Sequence, residues 1–159
     1  MANEIIPGLW LGDENAAKDY KFIKNAGINV VVNATKHIPN KFEKSIDYIR
    51  IPINDPGPGV NADQEDNVLL LKMLTDLLPL MRLYLQKGRR ILVHCHAGRM
   101  RSATIVLCFL YKYYYKTGSA KNRLYRSIHK ILRNRPVAFN HGSYTSFPFT
   151  VVEFIYNEN

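Results

Sequence analysis

The sequence predicts an α/β domain with a central, mostly parallel β-sheet flanked by helices. Strand-like and helix-like segments alternate along the chain. The β-branched run NVVVNA at 29–34 reads as a buried strand. No repeat, low-complexity tract or linker divides the 159 residues, a length that suits one domain with a real core.

Residues 13–26 read as a helix, with Asp13 as N-cap and Gly27 as its stop. The strand at 29–34 follows. IDYIRIPI at 46–53 alternates apolar and polar residues and reads as a second strand. NDPGPGVNADQED at 54–66 carries two Pro-Gly pairs and reads as a loop. Loops of that length inside a compact domain tend to be functional or mobile. NVLLLKMLTDLLPLMRLYLQ at 67–86 is predicted as a long helix, kinked or split by Pro79 and ended by Gly88. RILVH at 90–94 is the next strand. From 102 to about 116 apolar residues occur all round, the pattern of a central buried helix. Within 121–133, Leu124, Ile128, Ile131 and Leu132 share one face, as in an amphipathic surface helix. SFPFTVVEFIY at 146–156 reads as a final short helix.

Composition narrows the function classes. Hydrophobic content of 47% and charged content of 22% are ordinary for a globular chain. No apolar run approaches the roughly 20 residues of a membrane span. The opening MANEIIPGLW lacks the basic-then-apolar pattern of a secretory signal, and Ala2 stands where myristoylation requires glycine, so neither is expected. Two cysteines, Cys95 and Cys108, are too few for a disulfide framework, and a cytoplasmic or nuclear address is expected. The net charge of +9 implies an anionic partner. Phosphoprotein, nucleic acid, phosphoinositide and acidic membrane all qualify.

The chemistry is concentrated in ILVHCHAGRMRSATIVLCFLY, residues 91–111. A buried strand ends at His94 and a buried helix begins near Ser102. A short loop entering a helix N-terminus turns backbone N–H groups inward, and the helix dipole reinforces them, which makes an anion cradle. His96, Ala97, Gly98, Arg99, Met100 and Arg101 make up that loop, and its backbone is expected to hold a phosphate. Cys95 sits at its mouth. A free cysteine has a pKa of about 8.5, which a helix N-terminus and nearby cations bring to roughly 3.5–7.5, giving a nucleophilic thiolate. The planar Arg101 fork matches two phosphate oxygens at once. The Ser102 hydroxyl can donate to the Cys95 sulfur. His96 and Arg99 are expected at the rim, and His94 is expected to hold the loop through a local hydrogen bond. Cys108 reads as inert core. A metal is not expected: HCH lacks a second cysteine pair, and His129 and His141 lie at unrelated spacings.

VHCHAGRMRSATIV resembles the signature of cysteine-dependent protein phosphatases and, among them, of the dual-specificity phosphatases. EIIPGLWLGDENAA (4–17) is similar to that family's opening strand and turn. GINVVVNAT (27–35) and YIRIPIND (48–55) resemble its second and third strands, and RSATIVLCFLY its central helix. NRPVAFNHGS (134–143) resembles a segment that packs behind the phosphate loop. The resemblance covers essentially the whole chain, 1–159. It implies hydrolysis of phosphomonoesters on protein serine, threonine and tyrosine through a cysteinyl-phosphate, without metal or cofactor. Phosphorylated proteins are the implied partners. Cys95 would be the nucleophile, Arg101 the phosphate-binding group, Ser102 the aid to the thiolate.

The reaction also needs a proton donor for the leaving oxygen. The family keeps that aspartate in the loop corresponding to 54–66. Asp55 follows the strand directly, as the family pattern expects, and is favoured. Asp63 stands at a more typical distance from the cysteine and is second; Asp66 is third. Met100 replaces a small or polar residue of many relatives and is expected to present an apolar surface near the pocket, beside the Arg99 cation. With the net charge, this keeps RNA 5′ ends and phosphoinositides as alternative substrates. A phosphate-binding module without turnover is the alternative from another class. YKYYYK (111–116) interleaves aromatics and lysines as single-strand nucleic-acid binders do, but within a buried helix it reads mainly as core. KNRLYRSIHKILRNR (121–135) reads as a basic, solvated helix face able to touch acidic partners.

Overall fold

The computed structural model describes residues 1–54, 64–140 and 149–158. Five strands form one sheet: β1 (Ala2–Ile6), β2 (Leu9–Gly12), β3 (Val30–Asn33), β4 (Asp47–Arg50) and β5 (Ile91–His94), in the order β1-β2-β5-β3-β4. Only β1 and β2 are antiparallel; the other pairings are parallel, as expected. The opening segment yields two strands, turned at Gly8, whose φ of 85° suits glycine alone.

Side chains alternate across the sheet. Val30, Val32, Ile91 and Val93 face the larger core, and Val31 and Leu92 the smaller one. Burial on both faces explains why these strands read as continuous apolar runs. The short helices α1 (Glu14–Lys18) and α2 (Tyr20–Asn25) cover the smaller core. The larger core lies under α3 (Gln64–Gln86), α4 (Arg101–Phe109), α5 (Ala120–Asn134) and α6 (Phe149–Glu158). On α5, Ile131 is buried, and Leu124, Ile128 and Leu132 pack against the core, as their spacing predicted.

Three expectations about elements are corrected. The helix expected over 13–26 breaks at Asp19, whose carboxylate caps the Phe22 N–H at 3.1 Å and starts a second helix. Pro79 does not split α3, which runs unbroken through it. It sits on the exposed side, while Leu74, Leu77, Leu78 and Met81 are buried on the other. Burying those side chains, at roughly 1.5–3 kcal/mol each, outweighs a proline penalty of about 3 kcal/mol. The central helix is buried throughout Ser102–Phe109, but Leu110–Tyr114 widens into a π-helical turn. Arg123 stabilises that turn by donating to the Tyr111 and Tyr115 carbonyls at 2.7 and 2.8 Å.

Candidate active site

Gly12, His94 and Asn33 stand in register across β2, β5 and β3. The loop that follows His94 therefore leaves the carboxyl end of the middle strand, where open parallel sheets form their binding crevice. It runs from Cys95 to Met100 and enters α4.

Every carbonyl of that loop is held from outside. His94 Nδ1–H donates to the Cys95 carbonyl at 3.1 Å. The Glu14 N–H donates to His96 O at 2.9 Å, and the Phe139 N–H to Arg99 O at 2.7 Å. Arg135 donates through Nη2 to Ala97 O at 3.2 Å and through Nε to Gly98 O at 2.8 Å. Thr104 donates to Met100 O through both its N–H and its hydroxyl. In a trans peptide the N–H points opposite to the carbonyl before it. Fixing carbonyls 95–100 outward thus turns N–H groups 96–101 the other way, and among the described residues none of them has a protein acceptor. No side chain caps α4 at Met100, so its first-turn N–H groups add to the cradle.

Gly98 makes the loop possible. Its φ is 66°, and a Cβ there would stand 2.4 Å from the Gly12 carbonyl oxygen and 2.7 Å from Arg135 Nη2. Cys95 is 1% exposed, and its Sγ lies 3.1 Å from Ser102 Oγ, a hydrogen bond with either atom as donor. Arg101 Nη1 donates to Ile53 O at 3.1 Å, while its Nε is buried without an acceptor among the described residues. Burial pulls the His94 imidazole below its ordinary pKa of 6.5. A neutral ring suits its role as loop holder through Nδ1–H.

His96 and Arg99 are exposed at the rim, as expected. His96 pairs with Glu14 at 2.8 Å. Hydrogen bonds from Lys18 first, and then from His96, hold the Glu14 carboxyl below its usual range. Met100 is a correction. Expected to offer an apolar surface near the pocket, it is 3% exposed and packs in the main core. The loop presents backbone to the pocket, and the long apolar side chain gains more by turning inward. Of the three aspartates, Asp55 and Asp63 lie outside the described residues. Asp66 is 8% exposed, accepts the Asn54 N–H at 2.9 Å and faces Lys36 at 3.6 Å. Cys108 is buried core, and burial pushes its thiol far above the ordinary value. Among the described residues no cluster of His, Cys, Asp or Glu is arranged to hold a metal.

Arg135 and Glu14 escaped the reading of individual residues. The segment at 134–143 was expected to pack behind the loop; nothing in it singled out Arg135, which is 3% exposed and also donates to Asn3 Oδ1 at 2.8 Å.

Comparison with known proteins agrees with this geometry. The family model described as "Dual specificity phosphatase, catalytic domain" matches residues 9–139. Dual specificity protein phosphatase 26 of Bos taurus is 32% identical over 146 residues, covering 89% of this chain and 63% of that protein. Dual specificity protein phosphatase 2 of Mus musculus is 34% identical over 107 residues, covering 67% of this chain and 31% of that protein. The chain therefore spans less than two thirds of the length of these relatives. In fold, the crystal structure of human DUSP28 superposes with a TM-score of 0.74 at 21% identity, covering 98% of this chain and 90% of that one. With the catalytic-domain model matching most of its length, the chain belongs to the dual specificity phosphatase family.

Proposed function

We propose that this chain hydrolyses phosphomonoesters on protein serine, threonine and tyrosine through a cysteinyl-phosphate. The observation that carries the reading is the loop opening at Cys95, whose carbonyls 95–100 are all held from outside, so that N–H groups 96–101 turn the other way. A phosphoryl group seats on those donors and on the Arg101 guanidinium. The Cys95 thiolate attacks phosphorus, an S–P bond forms, and the P–O bond to the substrate breaks with its electron pair on oxygen. An aspartic acid protonates that oxygen; Asp55 is favoured and Asp63 is the alternative. Asp66, engaged with Asn54 and Lys36, fits the base of the acid-bearing loop better than the donor itself. The aspartate then deprotonates a water, which attacks phosphorus and releases the thiolate. The Ser102 hydroxyl steadies the departing sulfur.

Burial of Met100 removes one of the features that favoured RNA 5′ ends or phosphoinositides, while the Arg99 cation stays exposed at the rim. The net charge of +9 remains, and a protein partner of acidic character accounts for it equally well. A reducing compartment, cytoplasm or nucleus, keeps Cys95 a free thiol. The test is turnover of an aryl phosphate, of phosphopeptides bearing each phosphorylated residue, of phosphoinositide vesicles and of triphosphorylated RNA. Phosphopeptides are expected to be the better substrates. Hydrolysis of RNA or lipid with no activity on any phosphopeptide overturns the protein-substrate reading; no turnover of any phosphate leaves a binding module.

A further inference from the structure

The exposed side of α5 carries a feature that the catalytic loop does not use. Tyr125, Arg126, His129, Lys130 and Arg133 line a cleft of about 250 Å³, closed at one side by Tyr115. None of these side chains is acidic. Among the described residues Arg126, Lys130 and Arg133 have no ion-pair partner. Arg126 is oriented from below: its guanidinium lies 5.0 Å from the Tyr115 ring centre and donates to the Thr117 carbonyl. Its Nε is buried and finds no acceptor among the described residues. A cleft whose donors exceed its acceptors, in a chain of net charge +9, fits an anionic ligand.

The geometry also distinguishes among anions. Single-stranded nucleic acid binds by stacking successive bases on open rings. Here one face of Tyr115 is taken by Arg126, and Tyr114 packs edge-on against it at 4.9 Å. Tyr111 is buried. Tyr125, 63% exposed, leans on His129 at 5.5 Å and is the one open ring of the cleft. One ring makes no base-stacking track. The cations fit a peptide better. Arg126, Lys130 and Arg133 lie on one helix face and span about 10 Å at 1.5 Å per residue. That equals about three residues of an extended chain at 3.3 Å each.

The helix ends at Asn134, and its C-cap residue Arg135 holds the Ala97 and Gly98 carbonyls of the phosphate loop. Cleft and loop thus share one rigid support. We propose that the α5 cleft docks an acidic segment of the protein substrate, outside the phosphorylated residue itself. This rests on the phosphatase reading for the word substrate, but not for the binding.

The test uses a fluorescent, unphosphorylated peptide of alternating Glu and Asp, titrated against the full chain and against the double variant Lys130→Glu with Arg133→Glu. Both side chains project from the helix, and the double variant Lys130→Ala with Arg133→Ala serves if charge reversal impairs folding. Affinity is expected to fall about tenfold on charge reversal, consistent with two exposed ion pairs becoming repulsive. The kcat/KM for a phosphopeptide with an acidic flank falls by the same factor, while that for its Gln/Asn counterpart and for an aryl phosphate stays unchanged. Equal binding of the acidic peptide to wild type and both variants overturns the proposal. So does a uridine oligonucleotide that binds the cleft more tightly than the peptide. A wild-type chain that turns over no phosphate defeats the preceding reading alone, because peptide binding needs no turnover.

Discussion

One cysteine opens the loop that leads into α4 and the other lies in its last turn, and the two environments are opposite at the same degree of burial. Cys95 and Cys108 are each 1% exposed. Beside Cys95 the loop N–H groups have no protein acceptor among the described residues, the Ser102 hydroxyl lies 3.1 Å away, and Arg101 begins the helix. Around Cys108 the neighbours are apolar, and burial first, then the charge of Glu158, pushes its thiol upward. Burial alone therefore does not set what a thiol can do. The direction of nearby dipoles and the sign of nearby charge decide it.

The sharpest way to break this comparison is to remove each sulfur in turn. Cys95→Ser is expected to lower kcat by about 10⁶-fold, the scale seen when a nucleophile is lost, while phosphate binding persists because the cradle is backbone. Cys108→Ser should leave kcat intact and lower stability by about 1–3 kcal/mol, the penalty of an unpaired buried hydroxyl. Substantial activity in the first variant, or loss of activity in a folded second one, would undo the contrast.

A smaller effect probes the charge at the active end. Arg101→Lys should be nearly as damaging as Arg101→Ala, on the order of 10²–10³-fold in kcat, because lysine keeps the charge but not the fork. A lysine variant that retains most activity would mean that charge, rather than geometry, does the binding.

The acid is tested through leaving groups, with a selective loss of roughly 10²–10⁴-fold on poor ones at most. Asp55→Asn should slow phosphoserine hydrolysis far more than that of an acidic aryl phosphate, and Asp63→Asn should behave nearly as wild type. The reverse pattern transfers the role to Asp63. The smallest effect concerns His94. Held neutral by burial, it takes up a proton on unfolding, so stability is lost as pH falls below its ordinary value of 6.5. Thermal melts across that pH should show a slope that is shallower in His94→Asn. Parallel slopes would place the acid sensitivity elsewhere.

The active end was legible in the sequence because its parts are local. Strand, cysteine, glycine, arginine and helix follow within a few residues, and each type has a backbone or charge reason to be there. Cys108 was legible for the same reason: it lies in a segment apolar on every side. Met100 was misread because neighbouring residues in a loop can face opposite ways, and which one turns inward depends on the core below. Arg135 was missed because it acts across the fold, and no local pattern marks an arginine before a proline as a clamp. The break at Asp19 and the wide turn after Phe109 were missed because helical periodicity does not register a cap or one extra residue per turn.

Arg135 also ties the loop to distant parts of the chain. Its acceptors, Asn3, Ala97 and Gly98, lie 132, 38 and 37 positions away along the chain. Each contact closes a long loop, at an entropic cost that the packing of α5 must offset. Until α5 docks and places this guanidinium, the Ala97 and Gly98 peptides have no outward partner and no reason to turn their N–H groups inward. The shape of the loop beside Cys95 thus depends on the docking of a distant helix end, and local fraying at the C-terminal end of α5 would release two of its carbonyls while the sheet stays whole.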